Sequence, residues 1–463
     1  MSIFNKKRLP IDTFKMSEEI KEHLRKGWYS DEYFNNNIRI LNQLADEEYE
    51  FGEDENDLEG IVDVSKVSIG DLEVEMQIFT RRKPFSVVVG VDEALAILKE
   101  CTGYYDEKGN FINTYEKLEV EAVYDGELVR YDGDPLSVEP VIKIKGRYRD
   151  FGHLETPILG VLSEPTRVAT NVYNTLVAAG EKPVLFFPAR FAHYKMQGIH
   201  GYAYWIATQR YKFAYGKDSK AFISTMEQGD WWGGKASGTV AHINILTFLG
   251  NTAKLMMEFA RTMSSETPRI ALVDFHNDCV GESLKVMDKM WEKYLELYRE
   301  GNYEEAKKYK LYGVRPDTSG NMGDKSIEPL YDKKMDCGVT PRLVHNMRSA
   351  IDGRWHKWIK DANYENIPDE IKDIAKQYCE DVKIVVTGGF NVKKITSFEE
   401  VQAPVDIYGV GSSLLENCKN SNNDYTADGV RVKINNKWYD LHKEGRRPCN
   451  NPRLEKIDLN DLI

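Results

Sequence analysis

The chain has 463 residues, too many for one ordinary hydrophobic core, so two domains or one barrel-sized domain with additions are expected. Apolar residues make up 41% and charged residues 29%, the mix of a folded soluble protein and not of a disordered or fibrous one. With 62 basic against 74 acidic residues the formal charge is -12, which argues against a general binder of nucleic acid or of acidic membranes, since either needs a basic face.

The first sixty residues are helical in pattern and close in an acidic run over 46–59. Ser30 is expected to cap a helix opening Asp31-Glu32-Tyr33-Phe34, with acid in the first turn, where the helix dipole favours it. From 61 to 146 the texture changes to short strands, predicted at 74–78, 117–124 and 141–144. Asp125-Gly126 and Asp132-Gly133 supply hairpin-type punctuation between them. The longest clean apolar run, 85–91, predicts a buried strand and falls far short of the roughly 20 residues of a membrane span. An antiparallel α+β layer is expected here.

After about 154 the texture changes again. A helix over 165–179 is predicted to stop at Gly180. Short apolar runs at 184–187, 270–273, 384–386 and 407–410 then alternate with amphipathic helices; one carries the stripe Leu284, Met287, Trp291, Tyr294 and Tyr298 and closes at Gly301. Such alternation points to parallel strands in a barrel or a doubly wound sheet. The tail from 421 is polar, with a hairpin expected around Asn435-Asn436. The charged residues 1–8 have no apolar block behind them, so no secretory signal is expected and a cytoplasmic location is.

The residues just past each apolar run are the most informative, because catalytic residues of parallel α/β folds collect at the C-terminal ends of strands. Arg190 and His193 come after Phe187; Asp274 and His276 come after Val273. Arg315-Pro316-Asp317 succeeds Val314, Thr387-Gly388-Gly389 succeeds Val386, and Gly409-Val410-Gly411-Ser412 succeeds Tyr408. A single Gly pair is more often a turn than a phosphate site. Two in tandem, at late-strand positions, favour backbone amides that cradle a phosphate. Arg315 and Asp317 could simply pair with each other, but the triplet also suits a phosphorylated sugar, guanidinium to phosphate and carboxylate to hydroxyls. Asp274 could serve the sugar, hold Mg²⁺, or only cap a helix. Gly238-Thr239-Val240-Ala241-His242 opens an apolar helix over 243–249; a lone His there is usually structural, yet beside phosphate loops it could accept a phosphoryl group. The six cysteines (Cys101, Cys279, Cys337, Cys379, Cys418, Cys449) show no CxxC spacing, so neither zinc nor disulfides are expected.

As an ordered set these segments resemble the nicotinate phosphoribosyltransferase family, a branch of the type II phosphoribosyltransferases, and its archaeal-type members above all. The GT-x-x-H motif stands as Gly238 to His242, Arg-x-Asp as Arg315 to Asp317, the Ser/Thr-Gly-Gly loop as Thr387 to Gly389 and the F-G-V-G-T/S loop as Tyr408 to Ser412. L-E-T-x-L-L-G corresponds to 154–160 and D-x-Y-F to 31–34, so the resemblance runs from Asp31 to about Arg446. It implies an incomplete parallel α/β barrel with an α+β domain built from both chain ends. The domains expected are 1–153, the barrel at 154–415, and a tail at 416–463 that packs back on the first.

The activity the resemblance implies is transfer of a phosphoribosyl group from 5-phosphoribosyl pyrophosphate to nicotinate, giving nicotinate mononucleotide and pyrophosphate in NAD salvage. Mg²⁺ is an implied cofactor, ATP an implied co-substrate, and a homodimer with shared active sites the implied assembly. Phe187 would stack on the pyridine ring, with Arg190, His193 and Thr239 near it and Tyr33 covering the other face from a second subunit. His242 would be phosphorylated by ATP. Arg315, Asp317 and Asp274 would serve pyrophosphate, ribose and Mg²⁺; Thr387, Gly388, Gly389, Gly409, Gly411 and Ser412 would hold the 5-phosphate. The sequence also departs from the family: Phe187-Pro188-Ala189-Arg190 lacks the usual glycine, Pro316 replaces Leu, Phe275 stands where Thr is usual, and an aromatic-rich insertion at 202–232 could reshape the base pocket. Nicotinamide or quinolinate as the base remain alternatives. So does a non-catalytic nucleotide-binding homologue, while a metal-dependent hydrolase is disfavoured by the lack of an HxH or HExxH pair.

Overall fold

Two helices open the chain, Glu18–Arg25 and Glu32–Asp46. The computed structural model describes residues 6–53, 55–361 and 368–458, so the first five residues of the charged start lie outside it. Ser17 caps the first helix, its hydroxyl oxygen accepting from the Ile20 amide at 3.3 Å. The second helix differs from expectation: its N-cap is Asp31, not Ser30. The Asp31 carboxylate accepts the Thr156 hydroxyl at 3.0 Å and the Tyr33 hydroxyl at 3.3 Å in place of a helix amide. A contact 125 residues away in sequence has displaced the local cap.

By contacts the chain divides into two units, one of 1–173, 202–214 and 416–463, the other of 174–201 and 215–415. The expected boundary at 153/154 therefore moves to 173/174, inside a helix. That helix, Glu155–Ala179, starts ten residues before the predicted 165 because Pro165 lies within it. The carbonyl that Pro165 cannot engage, that of Val161, lies against Gly90, where an added Cβ would stand 2.0 Å from it. Gly90, at φ 102°, is the N-cap of helix Val91–Cys101. The predicted strand over 85–91 accordingly shrinks to Phe85–Val87, and the helix behind it was not foreseen.

Unit one is built on an antiparallel sheet in the order Lys437–Asp440, Tyr425–Ile434, Glu73–Thr80, Ile142–Arg147, Glu119–Ala122, Glu455–Lys456. The central strand pairs on one side with the tail and on the other with Ile142–Arg147, so both chain ends make this sheet. Met76, Ile78, Ile142 and Ile144 bury one face against Leu95 and Leu98 of the helix Val91–Cys101. The Asp-Gly pairs do not make hairpins, because Leu128–Arg130 leaves the sheet to pair with Phe85–Val87. Asn435 and Asn436, both at positive φ (48° and 61°), make the expected tail hairpin.

The other unit holds a curled, wholly parallel sheet of six short strands: β1 Val184–Phe186, β2 Phe222–Ile223, β3 Ile270–Leu272, β4 Gly313–Arg315, β5 Lys383–Val386 and β6 Ile407–Val410. Their order is β3-β4-β5-β6-β1-β2, and among the described residues the two edges do not pair. This is the incomplete barrel that the resemblance implies, and it decides between the barrel and the doubly wound sheet that the strand-helix alternation left open. Leu185, Ile270, Val385 and Ile407 fill its interior, with Phe187 and Phe222 packed on them. The helix Cys279–Arg299 starts at Asp278, whose carboxylate accepts the Gly281 amide at 2.8 Å. Its buried stripe is Val286, Met287, Met290, Trp291 and Leu295, turned slightly from the predicted one, and Gly301 ends it at φ 78°.

The aromatic-rich stretch at 202–232 is not one insertion at a base pocket. Its first part continues helix Gln197–Tyr215, and residues 202–214 belong to unit one. Tyr202 is buried there, its hydroxyl donating to Asp125 at 3.2 Å. A buried phenol needs such an acceptor, which is why this tyrosine serves the core. Among the described residues no helix is long and apolar enough to cross a membrane.

Candidate active site

The strand ends of the parallel sheet bring together most of the residues that the sequence singles out. His242, from the loop after β2, sets its Nε2 against both carboxylate oxygens of Asp274, at 3.1 and 3.0 Å. Asp274 lies just past β3 and is nearly buried, whereas half of the histidine side chain is exposed. Two expectations change here. The helix expected over 243–249 is the six-residue His242–Thr247, and the group facing the imidazole is a carboxylate. Asp274, expected on ribose or metal, is occupied with the histidine. Burial pushes its carboxyl above the ordinary range, the His242 hydrogen bond opposes this, and the nearby Asp317 adds to it.

Arg315 ends β4. Its guanidinium donates to the Val240 carbonyl at 2.8 Å and so fastens the Gly238 to His242 segment to the sheet. Asp317 is 3.9 Å away, at the edge of an ion pair, and its side chain is more exposed than that of Arg315. The Arg315 Nε is buried with no hydrogen-bond partner among the described residues. Burial lowers the arginine's pKa; Asp317 and Asp274 oppose this and the neighbouring Arg190 adds to it. Arg315 thus stands in a shared field of two carboxylates and a second arginine.

Phe187 lies past β1, its amide donating to Val410 at 2.9 Å, and its ring edges a small cavity (about 30 Å³) with Phe222, Thr239 and Ile270. Arg190 is exposed on the 3-10 turn Ala189–Phe191 with its guanidinium 5.1 Å from the Phe191 ring centre. His193 caps the next turn, its Nδ1 accepting the Lys195 amide at 3.3 Å. That local bond explains its orientation without a ligand.

The two glycine loops differ. Gly388 and Gly389 both have positive φ, 96° and 67°. A Cβ on Gly388 would stand 3.3 Å from an Asp317 oxygen, while one on Gly389 would meet nothing. Thr387 is not free for a phosphate: its amide and hydroxyl both donate to the Pro316 carbonyl, at 3.3 and 3.2 Å, and so tie β5 to β4. Gly409 is a buried residue of β6, where a Cβ would strike Thr387 at 2.5 Å and the Phe187 ring at 2.9 Å. Gly411 likewise makes room for Phe191, at 2.9 Å. Ser412 is exposed at the start of a 3-10 turn; its neighbour Ser413 donates to the Phe390 carbonyl at 2.8 Å and joins the loops.

Sequence reasoning missed Lys394. It lies in the helix Val392–Glu400 that the first loop feeds, capped by Asn391. Its ammonium donates to the Gly388 carbonyl at 2.9 Å and sits 4.2 Å over the Phe390 ring. A lysine at the third position of a helix after Gly-Gly was the available signal.

Comparison with known proteins gives one family match and a similar fold. Residues 63–166 match the quinolinate phosphoribosyl transferase N-terminal domain. The fold is similar to that of the nicotinate-nucleotide pyrophosphorylase from Pyrococcus furiosus, with a TM-score of 0.58 and 22% identity over 95% of this chain and 85% of that one. Human nicotinic acid phosphoribosyltransferase is more distant, at 0.48 and 14% over 78% and 71%. The fold is thus that of the phosphoribosyltransferases to which residues 63–166 and the Pyrococcus furiosus enzyme are similar.

Unit one carries two further features. Tyr33 is exposed at the start of its helix, held by the Asp31 carboxylate and lying 4.3 Å from the Phe34 ring. A cavity of about 800 Å³ is lined by Arg81, Arg82, Lys83 and Lys419, with Asp424 the one acid in its wall. Arg82 is buried, donating to the Ser421 carbonyl and to the Asn423 and Asn171 side chains, and burial pushes its pKa down to about 10. The buried Nε and one terminal nitrogen of Arg81 have no partner among the described residues. The sequence carried these cations as an unremarked Arg-Arg-Lys. No group of three or more His, Cys, Asp or Glu able to hold a metal is assembled among the described residues.

Proposed function

We propose that this protein transfers the phosphoribosyl group of 5-phosphoribosyl pyrophosphate to nicotinate, releasing pyrophosphate, in NAD salvage. The observation that carries the reading is the convergence of Arg315, Asp317, the His242–Asp274 pair and the Gly388-Gly389 loop at the ends of adjacent parallel strands. The bond from the anomeric carbon to pyrophosphate breaks as the bond to the pyridine nitrogen forms. The transition state resembles an oxocarbenium ion, so charge balance and positioning supply the catalysis. Asp317, the freer carboxylate, faces the ribose; Arg315 faces the leaving group; the 5-phosphate lies on the Gly388-Gly389 loop. Mg²⁺ keeps several waters and is commonly held by one or two carboxylates plus substrate phosphates, so Asp317 with pyrophosphate suits it without a protein cage. It would neutralise charge on the leaving group.

With Nε2 on Asp274, Nδ1 of His242 has no partner among the described residues and can act as nucleophile. It would form a bond to the γ-phosphorus of ATP while the bond to the bridging oxygen breaks and ADP leaves. A homodimer in which Tyr33 closes the base site of a second copy completes the reading. The exposed Ile243, Leu246 and Leu249 beside His242 support a covered surface there.

Quinolinate as the base is a second reading, favoured by the family matched over residues 63–166. One assay separates them: the protein, 5-phosphoribosyl pyrophosphate and Mg²⁺ with nicotinate, nicotinamide or quinolinate, with and without ATP. Nicotinate mononucleotide from nicotinate, stimulated by ATP and accompanied by acid-labile label on the protein from γ-labelled ATP, is expected. Mononucleotide from quinolinate alone, with release of carbon dioxide, selects the second reading. No product from any base leaves a binding homologue.

A further inference from the structure

The phosphate loop owes its shape to a side chain outside it. Gly388 and Gly389 turn the chain through the left-handed region, and this turn decides which way their amides and carbonyls point. The Gly388 carbonyl accepts the Lys394 ammonium at 2.9 Å. The lysine reaches back one turn from helix Val392–Glu400, its ammonium 4.2 Å from the Phe390 ring centre and 6.0 Å from that of Phe398. Asn391 fixes the helix start by accepting the Lys394 amide at 2.9 Å, and Ser413 holds the Phe390 carbonyl. Each residue from Gly388 to Asn391 except Gly389 is therefore anchored by a neighbour, and Gly389 is the residue open to a ligand.

We propose that Lys394 is a positioning residue for the sugar 5-phosphate: it pins the Gly388 carbonyl away from the anion, leaves the amides of the loop toward it, and adds the positive charge on that side of the site. The inference rests on the phosphoribosyl-transfer reading and deepens it. A carbonyl turned toward a phosphate would repel it, and an ammonium that holds the carbonyl back reverses the sign of the local field. Asp317, across the loop at the end of β4, is the one charged group that acts on Lys394 among the described residues. Burial pushes the ammonium down to about 8, against the pull of Asp317. The lysine therefore holds its proton at neutral pH and loses it as pH rises through that value.

Ribose 5-phosphate alone, titrated calorimetrically into the full chain, tests this without turnover. Lys394→Met is expected to weaken binding by tenfold or more and Lys394→Arg to keep it within about threefold, with both variants melting close to the wild type. Wild-type affinity should fall above about pH 8 and that of Lys394→Arg should not. In turnover, Lys394→Met should raise KM for 5-phosphoribosyl pyrophosphate far more than it lowers kcat. Unchanged ribose 5-phosphate affinity in a folded Lys394→Met overturns the inference and leaves the transfer reading standing. A wild type that neither binds ribose 5-phosphate nor makes a mononucleotide overturns both. If Lys394→Met fails to fold, Lys394→Gln takes its place in the same titration.

Discussion

The two glycine loops read almost alike in sequence and do opposite things. In Thr387-Gly388-Gly389 the glycines shape an opening: positive φ at both, free space at Gly389, and a carbonyl held back by Lys394. In Gly409-Val410-Gly411 they are space taken by aromatic rings, Phe187 over the first and Phe191 over the second. The first loop is open, as the proposed phosphate site needs, while the second seats the Phe187 ring that the proposed function stacks on the base. Glycine at a strand end signals a close approach; what approaches is decided elsewhere.

Four measurements sharpen or break this contrast, and the largest effect belongs to the group beside the open loop. Asp317→Asn should cut turnover by an order of magnitude or more while the fold survives, as read by kcat and melting temperature. Wild-type turnover would remove Asp317 from the chemistry. Next comes the ring held over Gly409. If Phe187 covers one face of the base and Tyr33 of a second subunit the other, Tyr33→Ala should raise the nicotinate KM about tenfold, since base stacking on an aromatic is worth ~1–3 kcal/mol. Full activity at a dilution where sedimentation shows only monomer sinks the shared site.

The glycines themselves give smaller effects of different kinds. Gly409→Ala puts a methyl group 2.5 Å from Thr387 and 2.9 Å from Phe187, so one of them must move. Overpacking of this sort costs about 1–3 kcal/mol, and the displaced ring should raise KM for the base more than that for 5-phosphoribosyl pyrophosphate. Gly389→Ala meets no atom and carries only the strain of a left-handed residue, about 1–2 kcal/mol. Its effect should fall on 5-phosphoribosyl pyrophosphate and leave the base KM unmoved. Urea denaturation and two-substrate kinetics on the pair check both halves. If the two variants shift the same constant, the two loops share one role.

The sequence alone determined the alternation of short apolar runs with amphipathic helices and hence a parallel sheet; the family resemblance of its motifs, not the alternation, implied an incomplete barrel. The sequence also placed Arg315, Asp317, Asp274 and the glycine pairs at strand ends, because strand termini are marked locally by where an apolar run stops. Periodicity and punctuation are properties of neighbours in the chain, so they survive in one dimension. Only the tertiary structure decided the partners. His242 meets Asp274, 32 residues on, and Arg315 reaches back 75 residues to the Val240 carbonyl. Asp31 turns its carboxylate to the Thr156 hydroxyl, 125 residues away, and caps no helix amide, and half of an aromatic stretch joins the core of unit one through Tyr202 and Asp125. Pro165 sits inside a helix whose start it was expected to mark. In each case a hydrogen bond or a packing contact made across the fold outweighed the local preference, since a buried polar group must find its partner wherever the fold supplies one. That is why the sequence names the residues of this site and the structure assigns what each one holds.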